Sequence, residues 1–185
     1  MDATDGSPQY QVTLSENINL VVVENTYGID PKSVSDLPAA LNRNTTNGQY
    51  HAYAYWNVSW RYQYDTSGAQ CKLASSTVTL KTELLMPELM NNWPVDEDTR
   101  DIFQLYQHNL LTHEYGHLDF GRTAANDIHK WLNSGQQANS CSELSNKLNQ
   151  RAKLIIAEQG QLDDTYDENT QHGRTQGAYI YDLLP

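Results

Sequence analysis

The chain has 185 residues and a mass of 21.0 kDa, which suits one domain with a single buried core. Its 12 basic and 23 acidic residues give a formal net charge of −11, which argues against nucleic acid and anionic membranes as partners. No run of about 18 apolar residues predicts a transmembrane helix, and residues 1–6 lack the basic and apolar regions of a signal peptide. If the natural protein is exported, its leader is expected to have been removed and Met1 added.

The first half of the chain predicts a sheet. Residues 20–23, with the sequence LVVV, are typical of a buried strand. Residues 50–64 place Tyr, Trp, Ala and Val at even positions and mainly polar residues at odd ones, which predicts a long strand with one apolar face. Turn residues at 65–68 separate this strand from a second segment, Cys71 to Leu85, in which apolar residues again recur at every second position. The two segments therefore predict two strands of a long hairpin. The aromatic strand is expected to form sheet core; at a sheet edge it could instead pair with an extended peptide.

The second half of the chain predicts two long helices. After Pro94 the apolar period changes to 3.6 residues, and His113 and His117 both fall on the apolar face. Ser140 predicts the N-cap of a second helix, whose apolar stripe runs to Ile155. We therefore predict an α+β fold in which an N-terminal antiparallel sheet with a long hairpin packs on a C-terminal helical half. One domain is expected over residues 1–185, with a sheet-rich half at about 15–95, helices at 96–160 and a tail at 161–185.

The first helix carries the pattern His-Glu-x-x-His. Histidines four residues apart lie one helical turn apart, so His113 and His117 can bind one metal ion. Glu114 then lies beside the metal, where its carboxylate can accept a proton from a water molecule. The alternative is two core histidines that neighbouring carboxylates or carbonyls satisfy. Gly116 within the helix predicts close approach of another element, of substrate or of a packing neighbour.

A catalytic zinc site needs a third protein ligand, and the motif itself does not supply one. The metzincin continuation is excluded because Phe120 and Thr123 occupy the positions where that subclass has glycine and histidine. His129 lies about 18 Å of helix rise from His117, too far for the same ion. Three other candidates remain, two glutamates on the second helix and one histidine in the tail: Glu143, Glu158 and His172.

The two cysteines, Cys71 and Cys141, have two interpretations on spacing alone. They are either two buried thiols or one long-range disulfide, and a zinc site built from them is disfavoured because neither belongs to a Cys-x-x-Cys pair.

Four separated segments resemble one bacterial family, catalogued as domain of unknown function 922 and described as predicted secreted zinc-dependent proteases. The segments are WNVSWRY at 56–62, CKLA at 71–74, HEYGHLD at 113–119 and YDENTQHG at 166–173. The resemblance runs from about residue 20 to 178 in the same order. It implies a zincin-like fold, export to the periplasm or cell envelope, and a peptidase activity. It also favours a Cys71–Cys141 disulfide and His172 as the third ligand.

From the motif and the resemblance together, we expect an exported zinc-dependent endopeptidase acting on a peptide or protein. Zn²⁺ is expected to be held by His113, His117 and His172, with Glu114 as the general base. Tyr166 is the candidate donor to the oxyanion, and Asp119 or Asp167 the candidate partner of a ligand imidazole. The alternatives are a non-catalytic, zinc-stabilised module of the cell envelope and an envelope protein that holds a glycan or partner on its aromatic hairpin.

Overall fold

The computed structural model describes residues 8–45 and 50–185. In this part of the chain four strands and three α-helices follow one another, with three short 3₁₀ helices between or after them. The elements are β1 (Ile18–Ile29), α1 (Leu37–Asn44), β2 (Tyr53–Asp65), β3 (Cys71–Leu89), α2 (Glu97–Leu132), β4 (Gln137–Ala138) and α3 (Cys141–Thr170). The predicted α+β class is confirmed.

The sheet has the strand order β1-β3-β2, and β4 pairs with the first two residues of β3. β2 and β3 form the predicted antiparallel hairpin, with a register shift at Gln63 and Tyr64. β1, however, pairs with β3 in parallel, so the sheet is mixed and the prediction of an antiparallel sheet was wrong. Apolar periodicity indicates that a strand forms and which face is buried, but the direction of its neighbour depends on the route of the chain between them.

β1 is also less buried than its sequence predicted. Leu20, Val21 and Val22 are 42%, 45% and 48% exposed, and only the two ends, Ile18 and Ile29, are buried. The strand lies at the edge of the sheet, so it has a neighbouring strand on one side only. An apolar run predicts a strand, whereas its burial depends on what the rest of the fold places over it.

The two long helices begin where capping residues predict. Asp96 accepts a hydrogen bond from the backbone N–H of Thr99 at the start of α2, and Ser140 accepts one from Glu143 at the start of α3. α3 then continues to Thr170, so residues 161–170 of the predicted tail are helical. Three consecutive residues with positive φ end the helix and reverse the chain: Gln171, His172 and Gly173.

Two apolar clusters lie along α2. One contains Ala124 and Ile128 of α2 with Leu144 and Leu148 of α3, and the other surrounds Phe103 near the start of α2. The stretch of α2 between these clusters contains the His-Glu-x-x-His pattern. A candidate polar site is therefore supported by packed apolar structure on both sides.

A disulfide joins Cys71 and Cys141, as the family resemblance implied. It links the start of β3 to the start of α3 across a sequence separation of 70 residues. In the described part of the chain no helix is long and apolar enough to cross a membrane.

Candidate metal centre

Three side chains converge on one point between α2 and α3. The Nε2 atoms of His113 and His117 are 3.2 Å apart, and Oδ1 of Asp167 lies 3.2 Å from each of them. Ligands arranged tetrahedrally around zinc at about 2.0–2.1 Å are separated from one another by about 3.3 Å. The three donor atoms therefore have the mutual spacing that a single metal ion of this size requires.

The outer nitrogens of both imidazoles are already engaged, and this fixes what the inner nitrogens can do. Nδ1 of His113 lies 2.9 Å from Oε1 of Gln176, and Nδ1 of His117 lies 2.5 Å from Oδ1 of Asp163. These oxygens accept hydrogen bonds, so each Nδ1 carries its hydrogen and, in the neutral imidazole, each Nε2 has a lone pair. The two lone pairs face the Asp167 oxygen.

Three acceptors that face one another without a donor are unfavourable unless a cation lies between them. Consistent with this, Oδ1 of Asp167 is buried and has no hydrogen-bond partner among the described residues. The donor set, two imidazoles and one carboxylate, is one that zinc binds in proteins. The arrangement therefore fits a metal ion.

Tyr166 contacts both the ring and the backbone of His113. Its ring stacks on the His113 ring with centroids 5.2 Å apart, and its hydroxyl donates a hydrogen bond to the His113 carbonyl oxygen at 3.1 Å. The same hydroxyl accepts a hydrogen bond from Nε2 of Gln176 at 3.0 Å. With its hydroxyl in these contacts, Tyr166 orients His113, and its role as donor to an oxyanion stays a prediction.

Gly116 explains how Tyr166 can lie so close to α2. A Cβ atom at this position would overlap the Tyr166 hydroxyl, so only glycine allows the two helices this approach. The predicted close approach at Gly116 is therefore made by α3.

The predicted third ligand, His172, is not part of the converging group. Its side chain is 60% exposed, and its Nδ1 lies 3.4 Å from Oδ2 of Asp167, whereas Oδ1 is the oxygen near the imidazoles. Of the other candidates, Glu158 pairs with Arg151 on the surface, and Glu143 lies in the first turn of α3 near the disulfide. In the described residues the group that could hold a metal ion is His113, His117 and Asp167.

Asp119 has a different role from the predicted one. Its carboxylate accepts hydrogen bonds from the backbone N–H groups of Gln11 and Val12, at 2.7 and 3.1 Å. Asp119 thus links the segment around Gln11 and Val12 to α2 by hydrogen bonds, and it does not orient a ligand imidazole. Asp167 also departs from its predicted supporting role, because it lies with the histidines.

The residues that do orient the histidines, Asp163 and Gln176, were missed by the sequence analysis. Asp163 also accepts a hydrogen bond from Nε1 of Trp56 at 2.8 Å, which ties the site to β2. A signal for Asp163 exists in the sequence, because positions 163, 166 and 167 have the spacing of one helical face. Gln176 has no such signal, because it reaches His113 only through the chain reversal after Thr170.

Glu114 adjoins the histidines in an open cleft. The cleft has a volume of about 800 Å³, and Glu114, His113, His117 and Asp167 line it. Glu114 is 6% exposed, and burial raises its pKa to about 7, although the charge of His117 opposes the shift. A carboxyl group in this environment can accept and release a proton near neutral pH.

The two imidazoles differ in their electrostatic surroundings. Burial is the main cause that lowers the pKa of His113, and the nearby His117 adds to it. Burial also opposes a charge on His117, but its hydrogen bond with Asp163 and the charges of Asp163, Glu114 and Asp167 together raise the pKa. Asp163 therefore contributes to the higher basicity of His117.

Comparison with known proteins yields one family. Residues 24–173 match the family described as bacterial protein of unknown function (DUF922). No curated protein and no solved structure matches the chain. The matched segment contains the two histidines, Glu114, Asp163 and Asp167, and it ends just before Gln176. Since the match covers most of its length, the chain belongs to this bacterial family of unknown function, DUF922.

Proposed function

We propose that the protein is a zinc-dependent hydrolase, an exported bacterial endopeptidase with a zincin-like arrangement. The observation that carries the proposal is the convergence of three acceptor atoms, spaced 3.2 Å apart, beside a buried glutamate in an open cleft. The proposed ligands are His113, His117 and Asp167. Asp167 takes the place of His172 because its unpartnered oxygen lies at the point where the two imidazoles meet.

When bound, zinc would lower the pKa of a water molecule and polarise the carbonyl group of the substrate. Glu114 accepts the proton of the attacking water and returns it to the leaving amine. Asp163 and Gln176 hold the two imidazoles with their Nε2 atoms directed inward, and Asp163 increases the basicity of His117. Tyr166 and Gly116 fix the distance between α2 and α3.

A peptide substrate is supported by the position of β2. In the described sheet β2 is an edge strand, and the segment from Tyr50 to Ala54, at its start, lines the cleft that contains Glu114. An extended peptide can pair with such an edge through backbone hydrogen bonds, and this pairing would lay the peptide across the histidines. The disulfide supports an oxidising compartment, which agrees with export.

The alternative is a non-catalytic, zinc-stabilised binding module of the cell envelope, because oriented ligands also suit a structural site. Replacing Glu114 with Gln separates the two. We expect the zinc content to remain one ion per chain and the hydrolysis of a mixed peptide library to fall by at least about 100-fold. Glu168→Gln is the matched control, since it makes the same change on the exposed surface of α3, outside the cleft.

Two results would contradict the peptidase. A Glu114→Gln variant that cleaves peptides at the wild-type rate would exclude this residue as the base. A zinc-loaded wild type that leaves the whole library intact would favour the binding module.

A further inference from the structure

The cleft continues beyond the histidines along α2. Tyr106, Leu110, His113 and His117 follow one another at helical spacing, and all four line the cleft. Leu110 therefore lies one turn before His113, and Tyr106 lies one turn further. We call this row of α2 side chains the floor of the cleft. The candidate metal centre lies at the end of the floor with His113 and His117, and the adjoining part of the cleft, next to Leu110, is apolar.

Five apolar residues of the cleft lining belong to, or pack against, the apolar cluster around Phe103. They are Ala52 and Ala54 at the start of the β2 segment, Leu110 of α2, and Ala178 and Ile180 from the chain after α3. Ala52 and Ala178 are each 7% exposed. We call the space bounded by Ala52, Ala54, Leu110, Ala178 and Ile180 the alanine pocket.

The polar atoms at the Tyr106 end already bond with one another. The Tyr106 hydroxyl lies 2.7 Å from Nδ1 of His51, and Nε2 of His51 lies 3.0 Å from Oδ1 of Asn42. Burial also lowers the pKa of His51, which opposes a charge there. Because Tyr106, His51 and Asn42 already bond with one another, a polar ligand group at this end would lose water without gaining a new partner among them, whereas an apolar group would gain by burial.

We propose that the alanine pocket selects a large apolar or aromatic side chain in the residue that flanks the scissile bond. This inference rests on the proposed function, because the histidines define which bond is cleaved. The pocket adjoins His113 on the same helix face, so the side chain it accepts belongs to a residue next to the reacting carbonyl. Alanine at three of the five lining positions leaves space that larger side chains would occupy, and an apolar group in that space would meet Leu110 and Tyr106.

Binding of hydroxamates tests the pocket without requiring turnover. The zinc-loaded protein is titrated with acetohydroxamate and with hydroxamates that carry an isobutyl, benzyl, methyl or carboxymethyl side chain. We expect the isobutyl and benzyl compounds to bind at least about tenfold more tightly than the methyl compound, because they bury additional carbon atoms. The carboxymethyl compound should bind most weakly, because it places a charge among apolar side chains.

A filled pocket should lose this preference. Ala54 is half-buried on the face of β2 that it shares with Leu84, so Ala54→Leu directs three further carbon atoms into the pocket. Tyr55→Leu is the matched control, since the adjacent side chain points to the other face of the sheet and does not line the cleft. If Ala54→Leu does not fold, Ala178→Val adds carbon atoms at another residue that lines the pocket.

The outcomes separate this inference from the proposed function. Equal affinity for all the side chains in the wild type, or an unchanged preference in a folded variant with a filled pocket, would overturn the alanine pocket and leave the metal site intact. A zinc-loaded protein that binds none of the hydroxamates would overturn the open metal site and, with it, this inference.

Discussion

Helices α2 and α3 contact each other in two different ways along their length. Near the disulfide, Ala124 and Ile128 of α2 pack against Leu144 and Leu148 of α3, and these side chains are buried. Toward the other end of α3, the contact consists of imidazoles, carboxylates, a tyrosine and the Gln176 amide. One helix pair therefore has an apolar end and a polar end.

The difference separates the end that stabilises the fold from the end that we propose to bind a metal ion. Apolar packing is non-directional, and it stabilises the pair by about 25 cal/mol per Å² of buried apolar surface whether or not an ion is bound. The polar end brings three acceptors together, which is unfavourable until a cation enters. We infer that the apolar end, with its disulfide, keeps the polar end assembled before the metal binds.

The largest expected effect is a loss of stability when the disulfide at the apolar end is removed. Replacing both Cys71 and Cys141 with Ser opens a loop with a sequence separation of 70 residues. The free energy of unfolding should fall by about 4 kcal/mol, because the unfolded chain regains loop entropy. Chemical denaturation measures this change. Zinc affinity in the folded double variant should stay at the wild-type value, and a joint loss of affinity and stability would show that the two ends are not independent.

The next largest expected effect is a loss of zinc affinity when Asp167, the proposed third ligand, is replaced. Asp167→Ala should lower zinc affinity by more than about 100-fold, which exceeds the usual effect of removing a residue that only orients a ligand. Competition with a chromophoric chelator measures the affinity. His172→Ala is the matched control, because His172 lies beside Asp167 but its side chain is mostly exposed, and we expect a change of less than about tenfold. The reverse order of the two effects would restore His172 as the ligand.

The smallest effect is expected from the residue that orients His117. Asp163→Asn keeps a similar shape but removes the negative charge beside Nδ1, so zinc affinity should fall by about 10- to 100-fold while the ligand set remains complete. Asp164→Asn, the adjacent and exposed carboxylate, serves as the control. If the two variants have the same affinity, the contact between Asp163 and His117 does not tune the site.

Much of the fold was predictable because its signals are local. The hairpin was predicted from alternation between residues 50 and 85, and α2 from a period of 3.6 residues. Residues 161–170, the C-terminal part of α3, were predicted as a tail because the apolar stripe does not extend into them. Beyond Ile156 this helix packs on the polar site, so its inward face carries Asp163, Tyr166 and Asp167 in place of an apolar stripe. A method that recognises helices by buried apolar residues ends this helix too early.

His113, Glu114 and His117 could be predicted from the amino-acid sequence, because a spacing of four residues on one helix places both imidazoles on one face whatever surrounds them. The third donor and the residues that orient the imidazoles became visible in the folded chain. Asp167, Asp163 and Gln176 lie 46 to 63 positions from their histidine partners, and they reach the site only because α3 continues to Thr170 and the chain then reverses. Contacts over such separations depend on helix length and packing, which no short motif encodes.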